Sequence, residues 1–233
     1  MKKCVKTQPL IIAHRGLHDH YPENSLQSIQ AAERAGITAA EFDIRQTRDA
    51  RFVLSHDAAL PGTERPIAEC ALAELQRIVP NPITLDDVLA KTSSPFHFCI
   101  EVTDEDIDVR RLRILLHETG AEKRSTILSF YPNILQETEL RSFPRWLLVD
   151  IPSGSHFFPE VFRDPIVFSI SLKVQAVAPH HILVDQAFMK KAKEHNLLVV
   201  PWVVNNKQRA KELVALNVDG LTTDIPAQLQ AII

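Results

Sequence analysis

Short apolar and β-branched runs recur along the whole chain, and several show no polar alternation, as in FCI (98–100) and LLVV (197–200). Continuous apolar runs of this length suit strands buried on both faces, as in parallel sheets. The pattern predicts strands at 10–13, 40–44, 52–55, 96–102, 126–129, 146–149, 166–170, 198–203 and 220–223. Helical periodicity lies between many of them. In 25–36, Leu26, Ile29, Ala32 and Ala35 fall on overlapping helical neighbours, with Asn24 or Ser25 as the N-cap and Gly36 as the stop. Further helices are expected at 105–119, 131–141, 186–196 and 207–216, and Pro226 sits in the first turn of a short last one. The stretch 150–165, rich in Pro, Ser, Gly and Phe, reads as a surface loop. Strand and helix alternate throughout, the units number near eight, and no glycine-rich nucleotide loop appears. The fold expected is therefore an α/β (β/α)8 TIM barrel.

Composition narrows this only a little. The chain has 233 residues, 45% hydrophobic and 24% charged. That allows one barrel spanning 1–233 as a single domain, with no linker or repeat to divide it. A net charge of −3 gives no basic field for nucleic acid or an anionic membrane. Cys4, Cys70 and Cys99 are odd in number and lack metal-ligand spacing, which suits a reducing compartment. The apolar run after the basic start is too short for a signal peptide, and none approaches a membrane span. A cytoplasmic protein without stable membrane insertion is expected.

The chemistry-bearing residues concentrate in 12–57. His14, Arg15 and Gly16 follow the first strand, where barrel residues reach the active-site mouth. His14 can exchange a proton near neutral pH, and the Arg15 fork fits phosphate oxygens. The triplet also fits a loop histidine beside a surface arginine. Glu41 and Asp43 are two apart on a strand, so they share a face. Inside a barrel two such carboxylates need a counter-charge, which a hard dication such as Mg2+ or Ca2+ supplies; on a solvated strand they would not. Glu101 ends the next buried strand and would complete the cage. His56 and Asp57 end a short strand, where a structural histidine is the alternative.

The motifs HRG (14–16), PEN (22–24), ExD (Glu41, Asp43), Thr47 with Asp49, HD (56–57), Glu101, SF (129–130), WVVN (202–205) and DGLTTDIP (219–226) occur in one order over nearly the whole chain. In this the sequence resembles the glycerophosphodiester phosphodiesterases. The resemblance implies metal-dependent hydrolysis of a small-molecule glycerophosphodiester to glycerol 3-phosphate and an alcohol. It implies Glu41, Asp43 and Glu101 as ligands of Mg2+ or Ca2+, and His14 and His56 as the acid/base pair. Arg15 becomes a phosphate contact and Trp202 a residue of the substrate mouth, with a core or rim aromatic as the alternative. Three positions depart from the family pattern: Thr103 stands for a lysine, Ala50 for the glycine of an Asp-Gly turn, and Val203 for a threonine. Two other outcomes keep the barrel. One is a phospholipase-D-like lyase forming a cyclic phosphate, for which 156–162 (HFFPEVF) would face a membrane or else pack on the barrel. The other is a catalytically impaired phosphodiester-binding barrel, which Thr103 would favour. The remaining histidines receive no role: His18, His20 and His156 fall in loops, His180 and His181 would point apart on an extended chain, and His97, His117 and His195 read as packing or surface positions.

Overall fold

The computed structural model describes residues 8–79 and 82–233. Cys4 and the basic start lie outside the described residues. The strands are β1 (Leu10–Ala13), β2 (Ala39–Gln46), β3 (Phe52–Leu54), β4 (His97–Val102), β5 (Ser125–Ser129), β6 (Arg145–Val149), β7 (Ala176–Pro179), β8 (Leu198–Val199) and β9 (Gly220–Thr223). The helices are α1 (Leu26–Arg34), α2 (Leu72–Ile78), α3 (Leu85–Lys91), α4 (Val109–Glu118), α5 (Pro132–Gln136), α6 (Pro159–Arg163), α7 (Pro165–Ser171), α8 (Gln186–Glu194), α9 (Lys207–Ala215) and α10 (Pro226–Gln230). The sheet order is β8-β7-β6-β5-β4-β2-β1-β9, and the ladders along it are parallel. Backbone bonds close the ring between β8 and β9: Asp219 N donates to Val199 O (2.9 Å), Thr222 N to Pro201 O (3.0 Å) and Val204 N to Thr222 O (2.9 Å). The result is the expected eight-stranded TIM barrel.

β2, β5, β6, β7 and β9 are buried on both faces, which is why their sequences lack an alternation of buried and exposed positions. On β2, Ala40, Phe42 and Ile44 face the helix layer, where Ile29 of α1 and Leu112 and Leu116 of α4 join the same core. Burying a side chain such as Phe42 fully contributes about 1.5–3 kcal/mol. The inward rows form a second, smaller core of Ile12, Cys99, Leu128, Trp146, Leu148, Ala176, Ala178 and Val200. Above it the same rows turn polar.

Four expectations need correction. Residues 166–170 are not a strand but lie in α7: Asp164 caps it by accepting from Val167 N (3.2 Å), and Pro165 occupies its first turn. The strand in that region is β7, whose sequence AVAP carries a weak strand signal because alanine and proline are poor strand formers. β3 is antiparallel to β2 and stands off the barrel path. The 150–165 stretch contains α6. Its Phe157 and Phe162 meet edge to face (5.1 Å), and Phe158 packs against the core, so none of the three is an exposed apolar tip. Among the described residues no helix is long and apolar enough to cross a membrane.

Candidate active site

At the C-terminal end of the strands lies a cavity of roughly 370 Å³, lined by His14, Arg15, Glu41, Asp43, His56, Glu101 and Trp202 among others. All seven predicted site residues therefore reach one cavity. The register pairs Asp43 with Glu101, and a carboxylate oxygen from each of Glu41, Asp43 and Glu101 lies within 4.8 Å of the others. Glu41 and Asp43 are buried, and Glu101 is partly buried. Burial, followed by the charges of Asp43 and Glu101, pushes the Glu41 carboxyl well above the usual range against the pull of Arg15. Burial and Asp43 do the same to Glu101. Glu41 Oε1 has no hydrogen-bond partner. Three converging oxygen donors, one of them without a hydrogen-bond partner, could hold a hard divalent cation.

The turn after β1 supplies the other half of this cluster. Arg15 adopts a left-handed φ of 52° and Gly16 one of 84°. That geometry turns the Arg15 backbone N–H onto Glu41 Oε2 (3.1 Å) and sets its Nε 3.2 Å from Asp43 Oδ2. Its Nη1 donates to Glu23 (2.8 Å). Burial works against the guanidinium charge, but Asp43, Glu41 and Glu23 outweigh it and raise its pKa. Ser25, not Asn24, caps α1, accepting from Ser28 N (3.0 Å). Asn24 is thus free to grip Asp43, donating to Oδ2 (2.8 Å) and accepting from its backbone N (3.0 Å).

His14 Nδ1 lies 2.6 Å from Asp224 Oδ1, and its Nε2 stands 3.9 Å from Glu41 Oε2. Asp224 is held by Asn205 Nδ2 (2.5 Å) and His18 Nε2 (3.2 Å). Burial would raise the Asp224 carboxyl, but His14, then Asn205 and His18, hold it well below the ordinary carboxylate range. A carboxylate on Nδ1 fixes the tautomer and leaves Nε2 to exchange protons. His56 lies on the rim with Nδ1 3.0 Å from Asp57 Oδ1, and its side chain is 44% exposed. Arg45 clamps the His56 carbonyl through Nε (3.0 Å) and Nη2 (2.5 Å) and pairs with Asp104. Thr103 turns its hydroxyl onto Ile44 O (2.8 Å) and does not line the cavity.

The sequence model of the glycerophosphoryl diester phosphodiesterase family matches residues 14–228. The chain belongs to this family. It is, by that membership, a phosphoric diester hydrolase. A glycerophosphodiester phosphodiesterase of Caldanaerobacter subterraneus is 23% identical over 94% of this chain and 96% of its own length. The crystal structure of a glycerophosphodiester phosphodiesterase from Parabacteroides distasonis superposes with a TM-score of 0.82 at 24% identity, covering 97% of both chains. An Oleispira antarctica phosphodiesterase, solved in complex with the product sn-glycerol-3-phosphate, superposes with a TM-score of 0.76 at 20% identity, covering 96% of both. At these identities the two structures speak for the fold.

Relative to this family member's sequence-based site, the structure adds residues. Asp224 and Asn24 stood inside the motifs DGLTTDIP and PEN without a role. Asp150 directly follows β6, an acid closing an apolar strand as Glu101 does near the end of β4. His18, His156 and His180 were assigned no role, yet His18 reaches Asp224 and the other two line the cavity. His180 and His181 do not point apart but stack at 4.8 Å. His97 is a packing residue, bonded to Thr126 Oγ1 (2.8 Å).

Proposed function

We propose that this phosphodiesterase hydrolyses glycerophosphodiesters to glycerol 3-phosphate and an alcohol. Glu41, Asp43 and Glu101 would hold a divalent cation, Mg2+ or Ca2+, with His14 and His56 as the acid/base pair. The observation that carries the reading is the convergence of the three carboxylates in the cavity that also receives His14, His56 and Arg15. The product bound by the Oleispira antarctica relative supports the substrate class. A dication bound there supplies Lewis-acid polarisation of a non-bridging phosphate oxygen.

The protein's own groups do the rest. Arg15 meets the phosphate's negative charge from beside the triad. His14, with Nδ1 tied to Asp224, presents Nε2 toward Glu41 and the reacting group. One imidazole takes the proton of the attacking oxygen, which is water or else the neighbouring glycerol hydroxyl, whose cyclic phosphate water then opens; the other gives a proton to the departing alcohol as its bond to phosphorus breaks. Asp224 stabilises the imidazolium when His14 carries the proton. Trp202, anchored by Nε1 donating to Ala178 O (2.8 Å), borders the organic part of the substrate. The test is to incubate the protein with glycerophosphocholine, glycerophosphoethanolamine and glycerophosphoglycerol, with Mg2+, Ca2+ or chelator, and to quantify glycerol 3-phosphate. Metal-dependent release is expected. Folded protein that releases none with either metal overturns the proposal.

A further inference from the structure

The half of the cavity formed by β5 to β8 is built unlike the half that carries the triad. Asp150, 7% exposed, stands in its wall at the end of β6. Its oxygens accept from two backbone amides, Ile151 N (2.8 Å) and His156 N (3.2 Å). Among the described residues it takes part in no ion pair. The loop is shaped around this carboxylate. A Cβ on Gly154 would fall 1.9 Å from Asp150 Oδ2 and 2.0 Å from Oδ1, so a larger residue there would push the carboxylate aside.

Four rings continue the same wall. His156 stacks on Phe130 (4.5 Å, 14°), Phe130 meets Trp202 edge to face (5.5 Å, 86°), and Trp202 meets His180 (5.4 Å, 78°). Burial lowers the pKa of both His156 and His180, although Asp150 works against it, so at neutral pH neither imidazole offsets the Asp150 charge. A buried carboxylate without a cation, bordered by aromatic rings, is the composition that attracts an organic ammonium. The opposite half, with Arg15 and the triad, suits an anion held through a metal. The cavity is thus polarised to match a zwitterion.

We propose that the β5–β8 half is a headgroup subsite for diesters whose alcohol is a cationic amino alcohol of the ethanolamine or choline type, with its ammonium beside Asp150, Phe130 and Trp202. The assignment rests on the hydrolysis proposed above and adds which alcohol departs. A neutral polyol headgroup gains neither the charge pairing nor the aromatic contact.

The test compares kcat/KM of the metal-loaded enzyme for glycerophosphocholine and glycerophosphoethanolamine with that for glycerophosphoglycerol and glycerophosphoinositol. A preference of about tenfold or more for the cationic headgroups is expected. Asp150→Asn should collapse that ratio toward one, and Phe130→Leu, which leaves every charge in place, should reduce it in part. Because Asp150 also holds its loop, a second measurement uses the unaltered enzyme: choline should inhibit at a lower concentration than its neutral isostere 3,3-dimethylbutan-1-ol. Equal turnover of cationic and neutral headgroups, or equal inhibition by the two alcohols, overturns the subsite while hydrolysis stands. No turnover of any diester overturns the function and this assignment with it.

Discussion

His14 lies between two carboxylates that do different things to it. Asp224 takes its Nδ1 at 2.6 Å, while Glu41 stands 3.9 Å from its Nε2. If both His14 and His56 move protons, His14→Ala and His56→Ala each lower turnover by at least about 100-fold in steady-state assays. Near-normal turnover in either variant removes that residue from the mechanism. In the proposed mechanism Asp224 would act through His14, as a positioning residue. Asp224→Asn keeps the shape but removes the charge that sets the tautomer, so kcat should fall at least about tenfold with KM little changed. A rise in KM alone would mark Asp224 as part of the binding surface instead. At this scale the sequence singled out the carboxylates and both histidines from their strand context: Glu41 and Asp43 stand two apart within β2, Glu101 near the end of β4, and His14 and His56 just past β1 and β3. Asp224 was less so: its partner His14 is 210 residues away, and only closure of β9 against β1 brings them together.

The turn between β1 and α1 places Arg15 and Asn24, and it depends on Gly16. A Cβ there would lie 2.5 Å from Ser28 Oγ, 2.6 Å from Ser28 C and 2.8 Å from Ile29 N, at a φ of 84°. Two of those atoms are helix backbone and cannot yield without moving α1. Gly16→Ala should destabilise the fold by about 2–4 kcal/mol in urea unfolding, combining left-handed strain with overpacking. A loss under about 1 kcal/mol would mean the turn relaxes and does not fix the site. Ala50 runs the other way. It holds a φ of 59° in the turn where the family pattern has glycine. Ala50→Gly should stabilise by up to about 1 kcal/mol, the strain relieved exceeding the entropy added to the unfolded chain. A clear loss of stability would refute that account. α7 and β7 show what periodicity lacks. Residues 166–170 are β-branched and aromatic, yet the Asp164-Pro165 start and the burial of Ile166 and Ser169, three apart, make them helical. β7 has small inward residues because its neighbours are large: Ala176 pairs in register with Trp146, and Ala178 accepts the Trp202 indole bond. Complementary volume across a closed barrel is a tertiary property, invisible in a single strand.

Over the whole molecule, the barrel concentrates negative charge at one end of its axis, a cost to folding that a bound cation would offset. The alternation of strand and helix was enough to read the barrel, but not how strongly folding and metal binding would be coupled. The Glu41 and Glu101 carboxyls are raised by burial and by their neighbours' charges, so between their unfolded and folded pKa values the folded state binds more protons than the unfolded. Their contribution to stability is fully present below the unfolded carboxylate range and is lost as pH rises through the folded pKa. The surface acids with lowered pKa values, such as Asp49, Asp87 and Asp164, lose their contribution only in acid. His97, His156, His180 and His181, lowered by burial, pull stability upward as pH rises toward the ordinary imidazole range, so absolute melting temperatures mix opposing effects. The discriminating quantities are differences. In chelator, Glu41→Gln should melt higher than the wild type at about pH 8, with the gap closing toward about pH 5 as Glu41 protonates. Mg2+ or Ca2+ should reverse the order, because metal competes with protons for the same oxygens. At about 100 times its Kd, a metal adds about 2.7 kcal/mol, or roughly 5–10 °C for a chain of this size, and the gain should be larger at about pH 8 than at about pH 5. Differential scanning fluorimetry across both pH values decides it: a wild type whose melting temperature ignores metal at either pH would leave Glu41, Asp43 and Glu101 as a buried acidic cluster satisfied by Arg15 and Asn24 alone.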